Sequence, residues 1–542
     1  MVAVLLLALL VLAVTNAVHI LNADYFHEEL RILYHFDPAR TNTKDYVGQF
    51  LGKFPQPILY GALTKAALGI GVDLIVFHKL LMLACLLLVL AGSALAGWRI
   101  GGAAAAAAVP VLVAAQPIYY YQINSATPHA FAFPLLIWGL VCLLYNRPYW
   151  LAGVTLLSGL LYPPISPVLG LGLAWHLVIA RNCMNAQNPN RIADVLVLGI
   201  AGAISATLLW HQLTPIEGYG APLPPGDKAD IYPENGPDGR HFYGVFHPVA
   251  YVVRSAIWQF RQVVPPPIVI MLMLFYVAAA GYGLYRLRER ADIFRPVLGF
   301  IVPSLIFCVL IVLLRPYVSY RFVLYPLFAV LPVLFVCGLL GLCETYRAGL
   351  RDQAAAIVAV MAVYIVSFNS LDADRNGFTL RLDEPSNRLM EFLRGLPADS
   401  LLAAWPGGSQ TSLIPYVAGR PLLVNFKAHY PTYEGHIINM RARMFDLIDA
   451  YLASDIKPLI HLRCRWQADY LVVDRDHFSG EGTAPDYFAP FNERIEKILN
   501  TVEKSKMILR QPPAGAVVFQ AGKFTVVDLA LLSKGAACPS QS

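Results

Sequence analysis

The sequence has few charged residues. Asp, Glu, Lys and Arg make up 14% of its 542 residues, whereas hydrophobic residues make up 57%. Soluble domains carry roughly a quarter charged residues, so this deficit excludes an ordinary soluble protein and predicts one with many membrane spans. The formal charge of +6 comes from 41 basic and 35 acidic residues. Because the basic residues are spread out instead of clustered, we expect no nucleic-acid partner.

Several catalytic and metal-binding motifs are also missing. There is no Walker loop, no Gly-x-Ser-x-Gly and no HExxH, so hydrolase and NTPase functions have no support. The 8 cysteines show no CxxC or Cys/His metal spacing, and most lie in apolar runs, as small core residues do. Only Cys464 and Cys538 fall in the C-terminal polar region, where a disulfide and two separate thiols both remain open.

Long apolar runs, in contrast, are abundant. A spanning helix needs roughly 20 apolar residues, and about eleven segments reach or approach that length. The short pair among them meets at Tyr162-Pro163-Pro164, where two prolines cannot continue one helix, and predicts two short helices. No Lys or Arg precedes the first run, which we interpret as an uncleaved span instead of a signal peptide. The segments lie near 1–20, 80–97, 102–121, 129–145, 149–162, 164–180, 192–213, 263–285, 296–314, 322–343 and 354–371.

Arginines mark alternate connections between these segments. Positive residues concentrate on the cytoplasmic side of membrane proteins, so these connections predict a cytoplasmic N-terminus and outer loops at 21–79 and 214–262. We expect a membrane module over 1–371 in the inner (plasma) membrane and an outer-facing domain over 372–542. The arginines concerned are Arg99, Arg147, Arg181, Arg191, Arg286, Arg288, Arg290, Arg295, Arg347 and Arg351.

The composition changes after about residue 372, where charge rises and apolar runs shorten to strand length. Residues 400–405 and 468–474 are predicted strands, and 440–452 has helical periodicity. Residues 517–519 and 524–527 predict a closing hairpin. The fold class we expect is therefore a polytopic α-helical membrane protein with a C-terminal α/β domain.

Three carboxylates, Asp24, Glu28 and Glu29, follow the first apolar run. In a helix, Asp24 and Glu28 share one face. A carboxylate near apolar surface gains basicity by desolvation, which suits a general base for a sugar hydroxyl. In the alternative interpretation these acids only face water at a helix start, where acids are favoured. His27 and His35 could join them as metal ligands, although lone loop histidines are more often simply polar.

Two further features lie at the outer ends of predicted spans. Arg315 and Arg321 sit where the positive-inside tendency does not place arginine, so they need an anionic partner. A lipid-linked phosphate fits the guanidinium geometry; a salt bridge to an outer-loop acid or snorkelling to headgroups is the alternative. His129 follows Thr127-Pro128. It either positions a substrate or starts a helix that Thr127 caps.

Together these features resemble the GT-C superfamily of membrane glycosyltransferases, more narrowly the aminoarabinose-transferase and protein-mannosyltransferase type. The resemblance covers nearly the whole chain as architecture, although each motif is short. It rests on Asp24 after the first span, Pro57-Ile58-Leu59-Tyr60 at the start of an interfacial helix, Arg99 after a Leu-rich span, the Thr127-Pro128 junction, the proline-turned helix pair, and Tyr320-Arg321-Phe322 before a span with internal prolines.

The resemblance implies a polyprenyl-phosphate-sugar donor, a glycan, lipid or protein acceptor, and chemistry on the outer face. Asp24 would then deprotonate the acceptor hydroxyl, and arginines would stabilise the charge that develops on the departing phosphate. The implied substrate- and phosphate-binding residues are Arg321, Arg315, Lys53, His129 and Tyr60.

The chain departs from this family at two positions. Tyr25 follows Asp24 where many relatives have a second acid, and His129 stands where many carry another acid. These departures weaken the case for a divalent metal, so we expect no cofactor, and they leave Glu28 as an alternative base. Other classes also remain open. They are a lipid or polysaccharide transporter or flippase, a glycan polymerase or ligase, and a non-catalytic membrane assembly factor.

Overall fold

The structure is a computed structural model. It describes residues 13–14, 17, 23–37, 42–114, 116–124, 126–180, 191–211, 214–223, 230–236, 238–240, 266–314, 320–346, 382–407, 410–479, 485–533 and 538. The predicted span at 354–371 and Arg315 lie outside the described residues, as does nearly all of the predicted span at 1–20.

The chain divides into two compact units, and the first consists of residues 1–22, 55–213 and 245–379. Its described part is helical, and three helices are long and apolar enough to cross a membrane, over Leu74–Ala114, Ala291–Leu310 and Arg321–Leu342. The count of about eleven spans therefore stays a prediction. The helices are α3 (Ile58–Gly69), α4 (Leu74–Ala114), α5 (Pro117–Ile123), α6 (Ala132–Leu144), α7 (Pro148–Leu161), α8 (Ser166–Trp175), α9 (Arg191–His211), α10 (Pro266–Leu287), α11 (Ala291–Leu314) and α12 (Tyr320–Tyr346).

Helix α4 is two helices joined by a reversal of the chain. Gly102 has φ 67° and ψ −153°, a conformation that is essentially restricted to glycine. The two halves pack closely, since a Cβ on Gly97 would come within 2.4 Å of the Ala105 carbonyl oxygen. The predicted segments 80–97 and 102–121 thus correspond to two packed halves, although the first begins earlier and the second ends at Ala114.

The connections rich in arginine meet at one end of the first unit. Arg99 donates from Nη2 to Asp292 at 2.7 Å and from Nε to the Leu144 carbonyl at 3.2 Å. Arg290 donates from Nη1 to the Ile100 carbonyl at 2.8 Å. Three separate turns are therefore in contact. We call this the arginine-rich end; its described arginines are Arg99, Arg147, Arg286, Arg288, Arg290 and Arg295.

The second unit consists of residues 23–54, 214–244 and 380–542. It therefore includes parts of the two segments that the sequence analysis assigned to outer loops. Its core is formed by buried apolar residues of its helices and sheet. The helices are α1 (Ala23–Phe36), α2 (Tyr46–Lys53), α13 (Glu384–Gly395), α14 (Ile414–Val417), α15 (Glu434–Tyr451), α16 (Lys457–Trp466), α17 (Phe491–Thr501) and α18 (Leu529–Leu532).

A four-stranded sheet runs through this unit in the order β1-β2-β4-β3. Strands β1 (Leu401–Ala404) and β2 (Ala468–Asp474) are parallel, with Ala404 opposite Val472. Strand β4 (Phe524–Asp528) is antiparallel both to β2 and to β3 (Val517–Ala521). The predicted strands and the closing hairpin are confirmed, as is the helix predicted over 440–452.

Cys464 and Cys538 form a disulfide in this unit, with their Cα atoms 5.5 Å apart. The sequence analysis left this bridge open against two separate thiols. The bridge ties the chain's C-terminal segment to helix α16, across 74 positions of sequence.

Candidate functional site

A chain of polar contacts lies at the end of the first unit opposite the arginine-rich end. Tyr60 is fully buried, and its hydroxyl lies 3.0 Å from Nε2 of His78. The same hydroxyl donates to the Ala126 carbonyl at 3.3 Å. Ala126 has a φ of 50°, which is strained for a residue with a side chain. Tyr60 thus anchors a strained turn at this helix junction.

The contacts continue from that turn to Arg321. The His129 ring lies 3.0 Å from the Thr127 hydroxyl through Nε2 and packs edge-on against Tyr162 at 6.3 Å. Arg321 donates from Nη1 to the Tyr162 hydroxyl at 2.7 Å, and its guanidinium carbon lies 5.9 Å from the ring centre. We call His78, Tyr60, His129, Tyr162 and Arg321 the polar cluster.

Helix ends place these side chains together. Pro128 begins the short 3₁₀ turn Pro128–Phe131 ahead of α6, and Pro163 follows Tyr162 where α7 ends. Thr127 precedes the turn, but its side chain makes no capping hydrogen bond. The interpretation that Thr127 caps this helix is therefore wrong. Its hydroxyl contacts the His129 ring instead.

Asp24 and Glu28 lie on helix α1 of the second unit, and their side chains are outside the described part. The helical period puts positions 24, 28, 31 and 35 on one stripe. Arg31 and His35 on this stripe contact the end of α2. His35 Nδ1 lies 2.9 Å from the Gly52 carbonyl oxygen, and the Arg31 guanidinium carbon lies 5.1 Å from the centre of the Phe54 ring. Together these contacts hold α1 against α2.

A buried carboxyl group fixes the start of helix α2. Asp45 is 1% exposed and caps the helix by accepting the Gly48 N–H at 2.7 Å. Burial raises the pKa of Asp45 to about 6, although the Gly48 hydrogen bond and the positive charge of Arg443 act in the opposite direction. Burial lowers the pKa of the neighbouring His436 to about 3. The His436 ring stacks on Phe50, with the ring centres 3.6 Å apart.

Lys53 is the last residue of α2. Its Nζ donates to the Glu217 carbonyl at 3.3 Å and lies 5.8 Å from the centre of the Tyr219 ring. Lys53 thus contacts the 214–223 segment of its own unit. Among the predicted residues, the structure brings Tyr60, His129 and Arg321 into one series of contacts; Asp24, Glu28 and Lys53 belong to the other unit.

Sequence reasoning missed three residues that lie in or next to the polar cluster. His78 and Lys79 are buried at the start of α4. Two basic residues at the edge of an apolar run are costly to bury and usually functional, but the predicted span began at residue 80. Tyr162 was noted only as part of a proline turn. Its link to Arg321 joins residues 159 positions apart, so no local pattern could reveal it.

Among the described residues, no three His, Cys, Asp or Glu side chains are grouped as a metal site requires. The described contacts of His35 and His129 are with the Gly52 carbonyl and the Thr127 hydroxyl.

Comparison with known proteins gives structural matches only. No protein-family model matches the chain, and no curated protein matches its sequence. The Archaeoglobus fulgidus oligosaccharyltransferase tethered to an acceptor peptide is similar, with a TM-score of 0.53 at 14% identity over 88% of this chain and 69% of that one. The same enzyme in complex with Zn and sulfate gives 0.53 at 14% identity over 91% and 70%.

ArnT from Cupriavidus metallidurans bound to undecaprenyl phosphate matches over 97% of both chains, with a TM-score of 0.49 and 14% identity. At such low identity the likeness concerns the fold. The chain thus shares its fold with the Archaeoglobus fulgidus oligosaccharyltransferase.

Proposed function

We propose that the chain is a membrane glycosyltransferase that moves a sugar from a polyprenyl-phosphate-linked donor to an acceptor hydroxyl. The observation that carries the proposal is Arg321, a guanidinium in the first turn of an apolar helix, held by the Tyr162 hydroxyl at 2.7 Å. A charged residue at the end of a membrane helix needs a polar or anionic partner. The shared fold with an oligosaccharyltransferase supports the same reaction class.

Arg321 would bind the donor's phosphate. A guanidinium presents paired N–H donors that match phosphate oxygens. Tyr162 engages one of these donors, Nη1, and thereby orients the group before a substrate arrives. Arg315, Lys53, His129 and Tyr60 complete the proposed substrate-binding set, in which His129 and Tyr60 shape the site through the polar cluster.

The proposed reaction is a displacement at the sugar's anomeric carbon. Asp24, with Glu28 as the alternative, accepts the proton of the acceptor hydroxyl as its oxygen bonds to that carbon. The bond from the carbon to the phosphate oxygen breaks, and the phosphodiester leaves as a phosphate monoester with one more negative charge. Arg321 stabilises this charge as it develops. No step depends on a metal, and the acceptor is a glycan, lipid or protein hydroxyl.

We further propose that the arginine-rich end faces the cytoplasm and that the second unit lies outside, in a multi-pass protein of the inner membrane. Two observations support this orientation. The arginine-bearing turns meet at a single end, as the positive-inside rule requires. The second unit contains a disulfide, and disulfides persist mainly outside the cytoplasm.

The test is sugar transfer by the full chain in proteoliposomes. The donors are radiolabelled polyprenyl-phosphate monosaccharides, and a membrane extract supplies the acceptors. We expect Asp24→Asn to lower transfer by about 10²–10⁴-fold, the usual contribution of a general base. Asp37→Asn is the matched control, because Asp37 follows the same helix at its exposed end, and it should transfer at the wild-type rate. Wild-type transfer by Asp24→Asn together with inactivity of Glu28→Gln would move the base to Glu28; full activity in both would overturn the proposal.

A further inference from the structure

We propose that the arginine-rich end holds a second ligand site, which binds the headgroup of an anionic phospholipid. A cavity of about 470 Å³ opens there, at the opposite end of the helices from the polar cluster. It lies where α4 reverses and where α10 and α12 end. Its lining includes Trp98, Arg99, Gly102, Arg286, Glu289 and Arg290.

The reversal of α4 creates the cavity. Gly101 and Gly102 form part of the wall, and Gly102 adopts a conformation closed to other residues. A Cβ built on Gly102 would meet nothing within 4 Å. The wall at this point is therefore bare backbone beside open space, which allows a headgroup to approach closely.

Three guanidinium groups line the cavity, and two of them are fixed, since Arg99 is held by Asp292 at 2.7 Å and by the Leu144 carbonyl at 3.2 Å. Arg290 donates from Nη1 to the Ile100 carbonyl at 2.8 Å, so its position is set by the turn it supports. Arg286 pairs with Glu344 at 3.2 Å, where both side chains are just over 40% exposed. Such an exposed pair contributes little to stability. Arg286 can therefore exchange this partner for a phosphate without a large penalty.

The charge of the lining matches a phosphodiester with one negative charge. Its arginines are Arg99, Arg286 and Arg290, and its acids are Glu289 and Glu344. With Asp292, which pairs with Arg99 at 2.7 Å, and Arg288, which adjoins Glu289 in the same turn, also counted, the excess is one positive charge. Arginine also binds phosphate oxygens through paired N–H donors, which favours a headgroup with a net negative charge over a zwitterionic one.

The surroundings favour a lipid over a soluble phosphate. Trp98, which lines the cavity, is 59% exposed. Tyr285, which precedes the lining residue Arg286 in sequence, is 53% exposed. Trp and Tyr concentrate at the headgroup level of membranes. Basic pockets between helices at a membrane face bind anionic headgroups. Because the cavity lies at the end of apolar helices, a lipid can enter it from the adjacent leaflet with its chains still in the bilayer.

The test is native mass spectrometry of the delipidated full chain, titrated with phosphatidylglycerol and separately with phosphatidylcholine. We expect phosphatidylglycerol to bind about tenfold more tightly, and Arg286→Gln to remove most of that preference, since a phosphate hydrogen bond to a charged donor is lost. Arg288→Gln is the matched control. It removes the same charge from the same turn, but Arg288 stacks on Tyr285 at 3.8 Å and does not line the cavity.

A second variant acts in the opposite direction. Glu289 lines the cavity, so Glu289→Gln should tighten phosphatidylglycerol binding severalfold, because one repelling charge is removed. This gain does not depend on whether Arg286→Gln folds well. The proposal is overturned if Arg286→Gln and Arg288→Gln weaken binding equally, if phosphatidylcholine binds as tightly as phosphatidylglycerol, or if glycerol phosphate alone binds as tightly as the lipid.

Discussion

Substituting Tyr162 by Phe removes a single hydroxyl from the polar cluster and should lower sugar transfer. This hydroxyl accepts the Arg321 hydrogen bond at 2.7 Å, and hydrogen bonds to charged groups contribute about 1.5–3 kcal/mol. The ring stays in place, 5.9 Å from the guanidinium carbon, and retains a cation–π attraction of about 0.5–1 kcal/mol. Because that attraction is the same in both proteins, we expect a loss of about 1.5–3 kcal/mol in transition-state stabilisation, which is roughly a 10–150-fold fall in kcat/KM.

A double-mutant cycle tests whether Tyr162 acts through Arg321. Arg321→Gln should lower kcat/KM by about 10²–10³-fold, as loss of a charge-stabilising donor does. Adding Tyr162→Phe to that variant should change the rate by no more than about twofold, because coupled residues are not additive. Tyr145→Phe is the control, since its hydroxyl donates to the Leu95 carbonyl at 3.2 Å near the arginine-rich end. If Tyr162→Phe lowers transfer equally with and without Arg321, this reasoning is refuted.

Three further predictions concern the second unit. The pKa of Asp45 is raised from 3.8 to about 6, so the stability that its protonated form contributes is complete below pH 3.8 and is lost as the pH rises through 6. This change amounts to up to about 3 kcal/mol in the free energy of unfolding by urea, and Asp45→Asn should abolish it. Glu234 is fully buried and receives two hydrogen bonds from Arg441, at 2.7 and 2.6 Å; Glu234→Gln should lower the unfolding free energy by about 3 kcal/mol. In intact cells, Cys464 and Cys538 should resist alkylation until a reductant is added.

Each of these predictions has its own control. His436 changes stability in the opposite direction, because its pKa is lowered from 6.5 to about 3 and its contribution is lost as the pH falls through that range. The contribution of Asp45 is therefore the difference between the unfolding free energies of wild type and Asp45→Asn at each pH. If the two proteins show the same dependence of unfolding free energy on pH, the prediction for Asp45 is contradicted. Glu434→Gln, at an exposed acid that accepts a hydrogen bond from the Tyr232 hydroxyl at 2.7 Å, should cost far less than Glu234→Gln, because water can solvate Glu434. Alkylation of Cys464 and Cys538 in unreduced cells would contradict the outer placement of the second unit.

Local patterns predicted the elements of the sheet and the single arginine-rich end. Strand β2 alternates little because both of its faces are buried at Leu471, Val472 and Val473, and that apolar run is visible in the sequence. The assignment of 23–54 to the same unit as the sheet was not predictable. It depends on contacts such as Phe50 against His436, which join positions far apart in the chain.

In the polar cluster, too, some residues were predictable from the sequence and others were not. Arg321 stood out because a charged group at the end of an apolar segment needs a partner. His129 was noted for its place at a helix junction, and Tyr60 only through the family resemblance. Their partners did not stand out, because Tyr162 lies in a proline turn, where tyrosine has many ordinary roles, and His78 precedes the predicted start of its span at residue 80. Cysteine spacing likewise left the Cys464–Cys538 pair open, because the bridge depends on where the chain returns to α16.

The central claim is that Arg321 holds the phosphate of a polyprenyl-linked donor. Electron cryo-microscopy of the full chain with polyprenyl phosphate tests it most directly. The account predicts phosphate density within hydrogen-bonding distance of the Arg321 guanidinium, about 2.7–3.2 Å, and its loss in Arg321→Gln. Phosphate bound elsewhere on the chain, with none beside the Arg321 guanidinium, would contradict it.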